Sequence, residues 1–515
     1  MRTTDWKFWS ALCAAVICLS GSATAARHNI CDDSKDPAAS IADCTDNINS
    51  GDFKGADLAA FYSNRAASYH ALGDIDHAIA DLNEAIRLDP TLAMAHNNRG
   101  AAYNEQGDNL RAIADYDEAI RLDPKLPLSY NNRGNAYSET GDPDHAIADY
   151  TTAIKLDPKF AMAYQNRGSV WYDKGDNDRA ITDYNASIKL DPDHARAYFG
   201  RGIAYAAKND NDHAIADFNE AIKLDPASAM SFDHRGSAWH DKGDNDRAIS
   251  DYNEALRLDP NRARTLNHRG AAWLEKDNTE RAIADYSDAI RLNPKDDDAF
   301  FGRALAYGAG GDLDRAITDY DAAIKLDPAS SKMLAARGDA WRAKGDSDRA
   351  TADFDEAIRL DPKSALGYFG RGRSYFFAGA FDKALADFNQ ASANLPDNAY
   401  VALWTDIAAR RGNLPTRLAQ ASSEIDMKAW PAPVIKLLMD QMTPAAVLAA
   451  IDDPDATRKK GQLCEAHFYS GELALSKGAK EDATRLFRLA ASDCPHAFAE
   501  WEAANVELKT LGEVQ

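Results

Sequence analysis

Proline recurs at a fixed interval of 34 residues over most of this chain. The series is Pro90, Pro124, Pro158, Pro192, Pro226, Pro260, Pro294, Pro328, Pro362 and Pro396. The residues before each proline also repeat, as in DEAIRLDP at 117–124 and NEAIKLDP at 219–226. A constant period of this length indicates a stacked array of one supersecondary unit rather than several independent globular domains. The predicted array spans residues 59–396 and contains ten tandem repeats.

One repeat predicts two helices. When residues 93–126 are numbered as positions 1 to 34, apolar, aromatic and small residues fall at positions 4, 8 and 11 and again at 20, 24 and 27. Gly107 is placed to end the first helix, Asp108 to cap the second, and Pro124 to stop it. Such a hairpin leaves an apolar flank uncovered, so each copy must stack on the next.

These positions resemble those of the tetratricopeptide repeat (TPR) family, which has Gly at position 8, Ala at 20, an aromatic residue at 24 and Pro at 32. Position 20 is Ala in all ten repeats, and position 8 is Gly in most of them. The resemblance implies an all-α fold, a right-handed superhelical solenoid of stacked antiparallel helix hairpins. It also implies a binding scaffold without chemistry of its own.

Position 7 departs from the family, because Arg replaces the usual Leu in every repeat, as at Arg201. Position 23, on the buried side of the second helix, is always Asp, as at Asp183 and Asp217. Both positions have apolar neighbours, which favours a repeated Arg–Asp bridge over independent solvated charges. The sequence does not decide whether Asp183 or Asp217 is the partner of Arg201. Either pairing would set the register of the helices rather than bind a ligand.

The first-helix face opposite the 4-8-11 stripe, positions 2, 5, 6, 9, 12 and 13, is called the groove face here, because it lines the inner groove in the family. Its candidate partner-binding residues are amides in the early repeats, namely Asn64, Asn97, Asn98, Asn131, Asn132, Gln165 and Asn166. In later repeats they are aromatic, namely Phe199, Phe301 and Phe369. Asn64, Asn98, Asn132 and Asn166 all occupy position 6, which predicts a row of amides suited to an extended peptide backbone. The alternative is that these asparagines brace neighbouring helices.

Residues 1–25 read as a secretion signal. Arg2 and Lys7 precede an apolar stretch from Ala11 to Leu19, and Ala23-Thr24-Ala25 matches a cleavage site. The stretch is shorter than the ~20 residues that a membrane-spanning helix needs. The alternative is a buried helix of the mature fold. We expect a secreted protein without a transmembrane span.

Both ends of the array differ from its middle. Residues 26–58 read as an N-terminal capping segment, and 397–460 as an irregular helical linker rich in proline. The period returns at 461–515 as an eleventh repeat with a C-terminal capping helix. The region from about Leu403 to Leu508 resembles NlpI, a TPR lipoprotein of the Gram-negative envelope, although this chain has no lipid-attachment cysteine in the required context. That resemblance implies a periplasmic adaptor, with an envelope protease and peptidoglycan hydrolases as candidate partners.

Four cysteines remain after the signal, an even number that suits disulfides in an oxidising compartment. Cys464 and Cys494 lie at the same open end of the predicted last hairpin, so we expect them to be bonded. Pairing of Cys31 with Cys44 in the N-terminal segment is left open. No Cys-x-x-Cys spacing occurs, so the cysteines do not suggest a zinc or haem site.

No catalytic motif stands out in the chain. It contains no Gly-x-Ser-x-Gly, His-Glu-x-x-His or phosphate-loop pattern, and its paired acids, such as Asp32-Asp33, suit solvated turns. His234, His240 and His268 are interpreted as surface residues rather than a metal cluster. We therefore expect no enzyme activity, no cofactor and no metal.

Net charge restricts the partners further. At −22, the chain should repel a phosphate backbone or an anionic membrane, so nucleic acid is not expected to bind. Two functions remain: an adaptor that binds extended peptide segments of protein partners and brings together envelope enzymes, or a scaffold for assembly or export of an envelope polysaccharide. The oligomeric state is not predicted.

Overall fold

The structure, a computed structural model, describes Cys31, residues 36–494 and residues 498–513. In these residues the regular elements are helices, and no strand occurs. The chain divides into two compact units, residues 1–242 and 243–515. The described helices of the first unit are α1 Pro37–Ser50, α2 Gly55–Ala71, α3 Ile75–Leu88, α4 Ala93–Glu105, α5 Asn109–Leu122, α6 Pro127–Glu139, α7 Pro143–Leu156, α8 Ala161–Asp173, α9 Asn177–Leu190, α10 Ala195–Ala207, α11 Asn211–Leu224 and α12 Ala229–Asp241.

The second unit continues the same pattern and then leaves it. Its described helices are α13 Asn245–Leu258, α14 Ala263–Glu275, α15 Thr279–Leu292, α16 Asp297–Ala309, α17 Leu313–Leu326, α18 Ser331–Ala343, α19 Ser347–Leu360, α20 Ala365–Phe377, α21 Phe381–Asn394, α22 Ala399–Arg411, α23 Leu418–Ala421, α24 Ala432–Leu438, α25 Pro444–Ala449, α26 Ala456–Ser476, α27 Lys480–Asp493 and α28 Ala499–Thr510. None of the helices that the structure describes is long and apolar enough to span a membrane. The predicted secretion signal lies outside the described residues.

The predicted helix hairpin is confirmed in the array. In the second repeat, α4 ends at Glu105, and Gly107 takes φ +77°, a left-handed conformation that favours glycine. The side chain of Asp108 accepts a hydrogen bond from the backbone N–H of Arg111 at 3.1 Å and so caps α5. The same Gly-Asp pair recurs between the helices of many repeats, which explains why the hairpin has one length throughout.

Small residues let the two helices of a hairpin approach each other. A Cβ atom added at Gly100 would lie 2.8 Å from the ring of Tyr116, so position 8 packs directly against position 24. The alanines at positions 20 and 27, such as Ala112 and Ala119, are fully buried. The core is therefore a run of small interfaces between successive helices, as stacked hairpins require.

Arginine at position 7 binds aspartate at position 23 of its own repeat. The Nε and Nη2 atoms of Arg201 donate to the two carboxylate oxygens of Asp217 at 2.8 and 2.6 Å. Asp183 is instead paired with Arg167. In later repeats the remaining Nη1 of the arginine reaches position 25 of the preceding repeat, as Arg201 reaches Asn185, whereas that of Arg65 reaches Thr45 of α1. The arginine thus ties its own hairpin together and joins it to the segment before it.

The described pairs of this kind are Arg65–Asp81, Arg99–Asp115, Arg133–Asp149, Arg167–Asp183, Arg201–Asp217, Arg269–Asp285, Arg303–Asp319, Arg337–Asp353 and Arg371–Asp387. Their aspartates are buried, and their arginines are largely so. The bidentate geometry satisfies both carboxylate oxygens, which a buried charge needs.

After the array, α22 still follows α20 by 34 residues, but the second helix of that repeat is replaced by the short helices α23, α24 and α25. The hairpin α26–α27 follows, and α26 begins at Ala456, earlier than the repeat start expected at 461. Disulfides join Cys464 to Cys494 in this hairpin, and Cys31 to Cys44 at α1. The largest cluster of buried apolar side chains lies in this region, around the fully buried Trp404.

Candidate functional site

Amide side chains of the first unit form a hydrogen-bonded series on the groove face, called the amide ladder, which consists of Asn97, Asn98, Asn131, Asn132 and Asn166. Asn97 and Asn131 at position 5 are 1% exposed, whereas Asn98 and Asn132 at position 6 are half-buried. Position 5 therefore points into the packing between repeats, and position 6 lies at its edge. Asn166 is half-buried in the same way.

Hydrogen bonds run from each repeat to the one before it. Asn132 Nδ2 donates to Asn97 Oδ1 at 3.3 Å, and Asn166 Nδ2 donates to Asn131 Oδ1 at 3.1 Å. Within a repeat, Asn97 and Asn131 donate to the Oδ1 atoms of Asn98 and Asn132 at 3.2 and 3.3 Å. The bracing role that the sequence left as an alternative is therefore present for Asn132 and Asn166.

The ladder leaves hydrogen-bonding capacity at its edge. A side-chain amide has two N–H donors and two acceptor lone pairs. Asn132 uses one donor and one acceptor within the ladder, and Asn98 uses one acceptor. The side chain of Asn64 makes no hydrogen bond to another described residue. Position 6 therefore presents partly satisfied amides, of which Asn132 and Asn166 are held by the preceding repeat and Asn98 by Asn97 of its own repeat.

Gln165 is turned inward, since it is 6% exposed and donates from Nε2 to Ser169 Oγ at 3.2 Å. It therefore does not contribute to the exposed edge of the row, because its polar end is used within its own helix. Hydrogen bonds join five of the six asparagines of the predicted set, whereas Asn64 and this glutamine stand outside that network.

The aromatic residues predicted for the groove are packing residues. Phe301 is 6% exposed and packs on Tyr320, with ring centroids 5.8 Å apart. Phe199 packs on His234 and Phe369 on Trp404, with centroids 5.4 and 6.2 Å apart. Position 5 lies where consecutive repeats meet, so a ring there is covered by the neighbouring repeat. Phe301 is therefore buried, and Phe199 and Phe369 are partly covered, so the role of these three rings in partner binding stays a prediction.

In the described part of the chain, His234, His240 and His268 are not grouped with other side chains into a metal site. His234 packs against Phe199 and Phe218, and His268 lies against Tyr252, at ring separations of 5.4, 6.0 and 5.8 Å. Among the residues that the structure describes, no group of three or more His, Cys, Asp or Glu side chains is placed to hold a metal ion. His234 and His268 thus add to packing, and the absence of enzyme activity stays a prediction.

Four buried glutamates near the C-terminus form a cluster that the sequence analysis does not predict. Glu465 and Glu472 lie on α26 and Glu500 and Glu507 on α28, each at most 5% exposed. Tyr400 and the indole of Trp430 donate to Glu465 at 3.1 and 2.6 Å. Tyr469 donates to Glu500 at 3.0 Å, and Arg411 donates to Glu507 at 2.7 Å and to Glu472 at 3.3 Å.

Burial and crowding raise the pKa of three of these carboxyl groups, those of Glu465, Glu472 and Glu500. Burial, reinforced by the charge of Glu500, raises the pKa of Glu465 to about 8. Burial also raises the pKa of Glu500, and burial together with Glu507 raises the pKa of Glu472. The signal in the sequence was spacing: each helix carries two glutamates seven residues apart, flanking buried residues at +3 and +4.

Sequence models of tetratricopeptide repeats match residues 66–107, 102–141, 127–160 and 336–399. The chain is a tetratricopeptide repeat protein. A model described as the ETO1 C-terminal domain matches residues 159–344 of this TPR protein. The resemblance of its C-terminal part to NlpI stays a prediction.

Several solved structures are similar to this TPR protein. A tetratricopeptide repeat protein from Parabacteroides merdae ATCC 43184 is 22% identical, with 48% of this chain and 98% of that chain covered and a TM-score of 0.39. A structure of MamA is 28% identical, with 32% and 96% covered and a TM-score of 0.29. YrrB, described as a TPR protein with an unusual peptide-binding site, is 22% identical, with 36% and 95% covered and a TM-score of 0.32.

Proposed function

We propose that this TPR protein is a protein-interaction scaffold that holds an extended segment of a partner protein along the amide row of its first unit. The observation that carries the proposal is the ladder itself. It holds Asn98, Asn132 and Asn166 of position 6 through their neighbours and leaves donors and acceptors at the edge of the groove face. Side chains fixed in this way lose little conformational freedom when a ligand binds.

An extended backbone suits such a row. Consecutive packed helices are spaced by about 8–10 Å, close to three residues of extended chain at about 3.3 Å each. An amide both donates and accepts, so it can meet either an N–H or a C=O group of the ligand. Recognition would then depend on backbone groups more than on particular side chains, which fits a scaffold for more than one partner.

The finer proposal is a periplasmic adaptor that brings cell-envelope enzymes together, including a protease and peptidoglycan hydrolases. It is supported by the signal-like residues 1–25 and by two disulfides, Cys31–Cys44 and Cys464–Cys494, which suit an oxidising compartment. A polysaccharide scaffold receives less support, because aromatic faces that could stack on sugars are scarce on the groove face: Phe301 is buried, and Phe199 and Phe369 are partly covered. A fusion of residues 1–58 to alkaline phosphatase tests the compartment, since that enzyme becomes active only after export.

Paired asparagine variants test the binding role. Peptides are first selected on the full chain from a displayed library of random 12-residue sequences. The variant Asn64→Ala with Asn98→Ala removes amides that donate nothing to the ladder. The variant leaves one donor of Asn97 without its acceptor, so we expect a smaller loss of melting temperature than in the control below, and binding to the selected peptides that is at least tenfold weaker.

The matched control is Asn132→Ala with Asn166→Ala, which removes two donors of the ladder. This control should lose stability as well as affinity. Peptide binding that is unchanged in the folded Asn64→Ala and Asn98→Ala variant, or a library that yields no binding peptide, would contradict the proposed function.

A further inference from the structure

The last helix, α28, is enclosed by the protein. None of residues 499–508 is exposed, and Glu500, Ala503, Ala504, Glu507 and Leu508 are buried. A helix that simply caps a repeat array keeps a polar face in water. α28 packs on α27 and α26, as the capping helix expected from the sequence would, but because it lacks such a face over most of its length it also contacts other parts of the protein.

The polar contacts of α28 reach the groove face of the last repeats. Glu502 pairs with Arg342 of α18 and with Arg373 of α20, the latter at 3.1 Å. Glu507 pairs with Arg411 of α22 at 2.7 Å. At each of these points α28 supplies a carboxylate and the face supplies a cation. The helix is therefore bound as an acidic ligand would be.

Arg342 and Arg373 occupy groove positions 12 and 9, where no other repeat of the array carries arginine. Their side chains are only 7% and 9% exposed, and the Nε atom of each has no hydrogen-bond partner among the described residues. Burial and the neighbouring charge of Arg342 lower the pKa of Arg373. Two adjacent buried cations need an anion.

The nearest carboxylate on the repeats themselves meets this need only in part. Asp339 lies 2.8 Å from Arg342 but 3.8 Å from Arg373, and its side chain is 47% exposed. Glu502 of α28 contacts both arginines and is 22% exposed. The carboxylate that pairs closely with both arginines is therefore that of Glu502 on α28, which lies outside the two repeats that carry Arg342 and Arg373.

We propose that the groove face of α18, α20 and α22 is a recognition site for an acidic helix and that α28 occupies it as an internal ligand. A partner helix with carboxylates spaced like Glu500, Glu502 and Glu507 competes for the same face. This site is separate from the amide row and does not depend on the function proposed for it. A tethered ligand acts at an effective concentration in the millimolar range, so the internal helix must be weakened before an external one is seen.

A charge reversal weakens the internal helix selectively. Glu502→Lys places a third cation against Arg342 and Arg373. In the full-length variant we expect the amides of α28 to exchange with deuterium at least tenfold faster, while those of α26 and α27 are unchanged. The probe is a labelled peptide of residues 498–513, whose binding is followed by fluorescence anisotropy. Glu502→Lys should bind it at least tenfold more tightly than the wild type does.

Three controls assign the effect to the site. Glu513→Lys makes the same substitution near the end of the same segment, where Glu513 pairs with the exposed Arg488, and it should behave like the wild type. A peptide with Gln in place of Glu500, Glu502 and Glu507 should not bind. Addition of Arg342→Ala and Arg373→Ala to Glu502→Lys should abolish capture, and Arg373→Gln alone replaces this pair if the double change does not fold.

Three results would overturn the proposal. In the first, α28 of Glu502→Lys stays as protected as in the wild type. In the second, α26 and α27 lose protection together with α28, so that the helix is part of one cooperative core. In the third, α28 is released but the vacated face captures no peptide, or captures it without regard to the arginines.

Discussion

The repeat array and the C-terminal block, residues 397–513, bury charge in opposite ways. In the array the buried aspartates at position 23 meet a bidentate arginine of their own repeat in nine described pairs, as Asp217 meets Arg201. In the described part of the C-terminal block four buried glutamates receive hydrogen bonds from Tyr400, Trp430 and Tyr469, which are neutral, and from Arg411, which reaches Glu472 and Glu507. Paired charges fix a register and are insensitive to pH near neutrality. Crowded carboxyl groups instead hold protons, and they destabilise their surroundings as the pH rises.

The disulfide of the C-terminal block gives the largest expected effect. Cys464 and Cys494 close a loop of 30 residues, which the loop-entropy model values at about 3–4 kcal/mol. Replacement of both cysteines by alanine should lower the urea midpoint of the block and leave that of the array unchanged. The matched control, Cys31→Ala with Cys44→Ala, should act only at the N-terminal segment. If replacement of Cys464 and Cys494 also reduced deuterium protection in α8 and α9, the claim that the array and the C-terminal block are stabilised separately would be contradicted.

In the array, Arg201→Leu restores the residue usual in the family but leaves Asp217 buried without its cation. Removal of one partner of a buried pair costs about 3 kcal/mol or more. We expect a loss of this size in the free energy of unfolding, measured with urea, together with faster exchange in α10 and α11.

The control for this prediction is a double-mutant cycle. Asp217→Ala should recover much of the loss in the presence of Arg201→Leu, because the unpaired charge is then gone. Asp183→Ala should show no such coupling, since Asp183 pairs with Arg167. Coupling to Asp183 instead of Asp217 would contradict the observed register.

Substitution of Glu465 by glutamine probes the opposite behaviour of the block. Its pKa is raised to about 8 by burial and by Glu500, so the folded state holds a proton that the unfolded state releases near pH 4.5. Stability conferred by the protonated group is complete below pH 4.5 and is lost as the pH rises towards 8. Glu465→Gln should therefore stabilise the block at pH 8 by about 2 kcal/mol and have little effect at pH 4.5. Equal effects at both pH values, measured by urea unfolding, would rule out the retained proton.

The smallest effect is expected for the amide ladder. Asn132→Ala removes a hydrogen bond from one repeat to the one before it and should cost about 1 kcal/mol. Asn64→Ala removes a side chain without such a bond and should leave the melting temperature unchanged. A destabilisation of similar size in both variants would mean that position 6 contributes through packing rather than through the ladder.

The structural features that repeat every 34 residues could be predicted from the sequence. The 34-residue period gave the hairpin, its Gly-Asp turn and the pairing of position 7 with position 23, because each depends on local geometry repeated many times. It did not say that Arg201 pairs with Asp217 rather than Asp183, since both lie on neighbouring helices. The packing of Phe301 and the ladder from Asn132 to Asn97 depend on distances between repeats, which a repeat pattern does not contain.

The packing of the C-terminal block was also not predictable, because it depends on contacts between residues that are far apart in the sequence. Helical periodicity identified α26, α27 and α28, yet it does not say which surface a helix docks on. The place of α28 is set by contacts such as Glu502 with Arg342, which are 160 residues apart in the chain. The arginines at positions 9 and 12 of the last two repeats were a visible signal, because they break the pattern of the other eight.

Deuterium exchange of the unmodified full-length protein at pH 5 and at pH 8, corrected for intrinsic rates, tests the division between the two regions most directly. In α8 and α9, where Arg167 binds Asp183, protection should differ by less than twofold between the two pH values. In α26 and α28 it should fall at least tenfold at pH 8, because Glu465, whose pKa burial raises to about 8, then loses its proton beside Glu500 of α28. Equal changes in both regions, or protection of α28 that does not decrease with pH, would contradict the account.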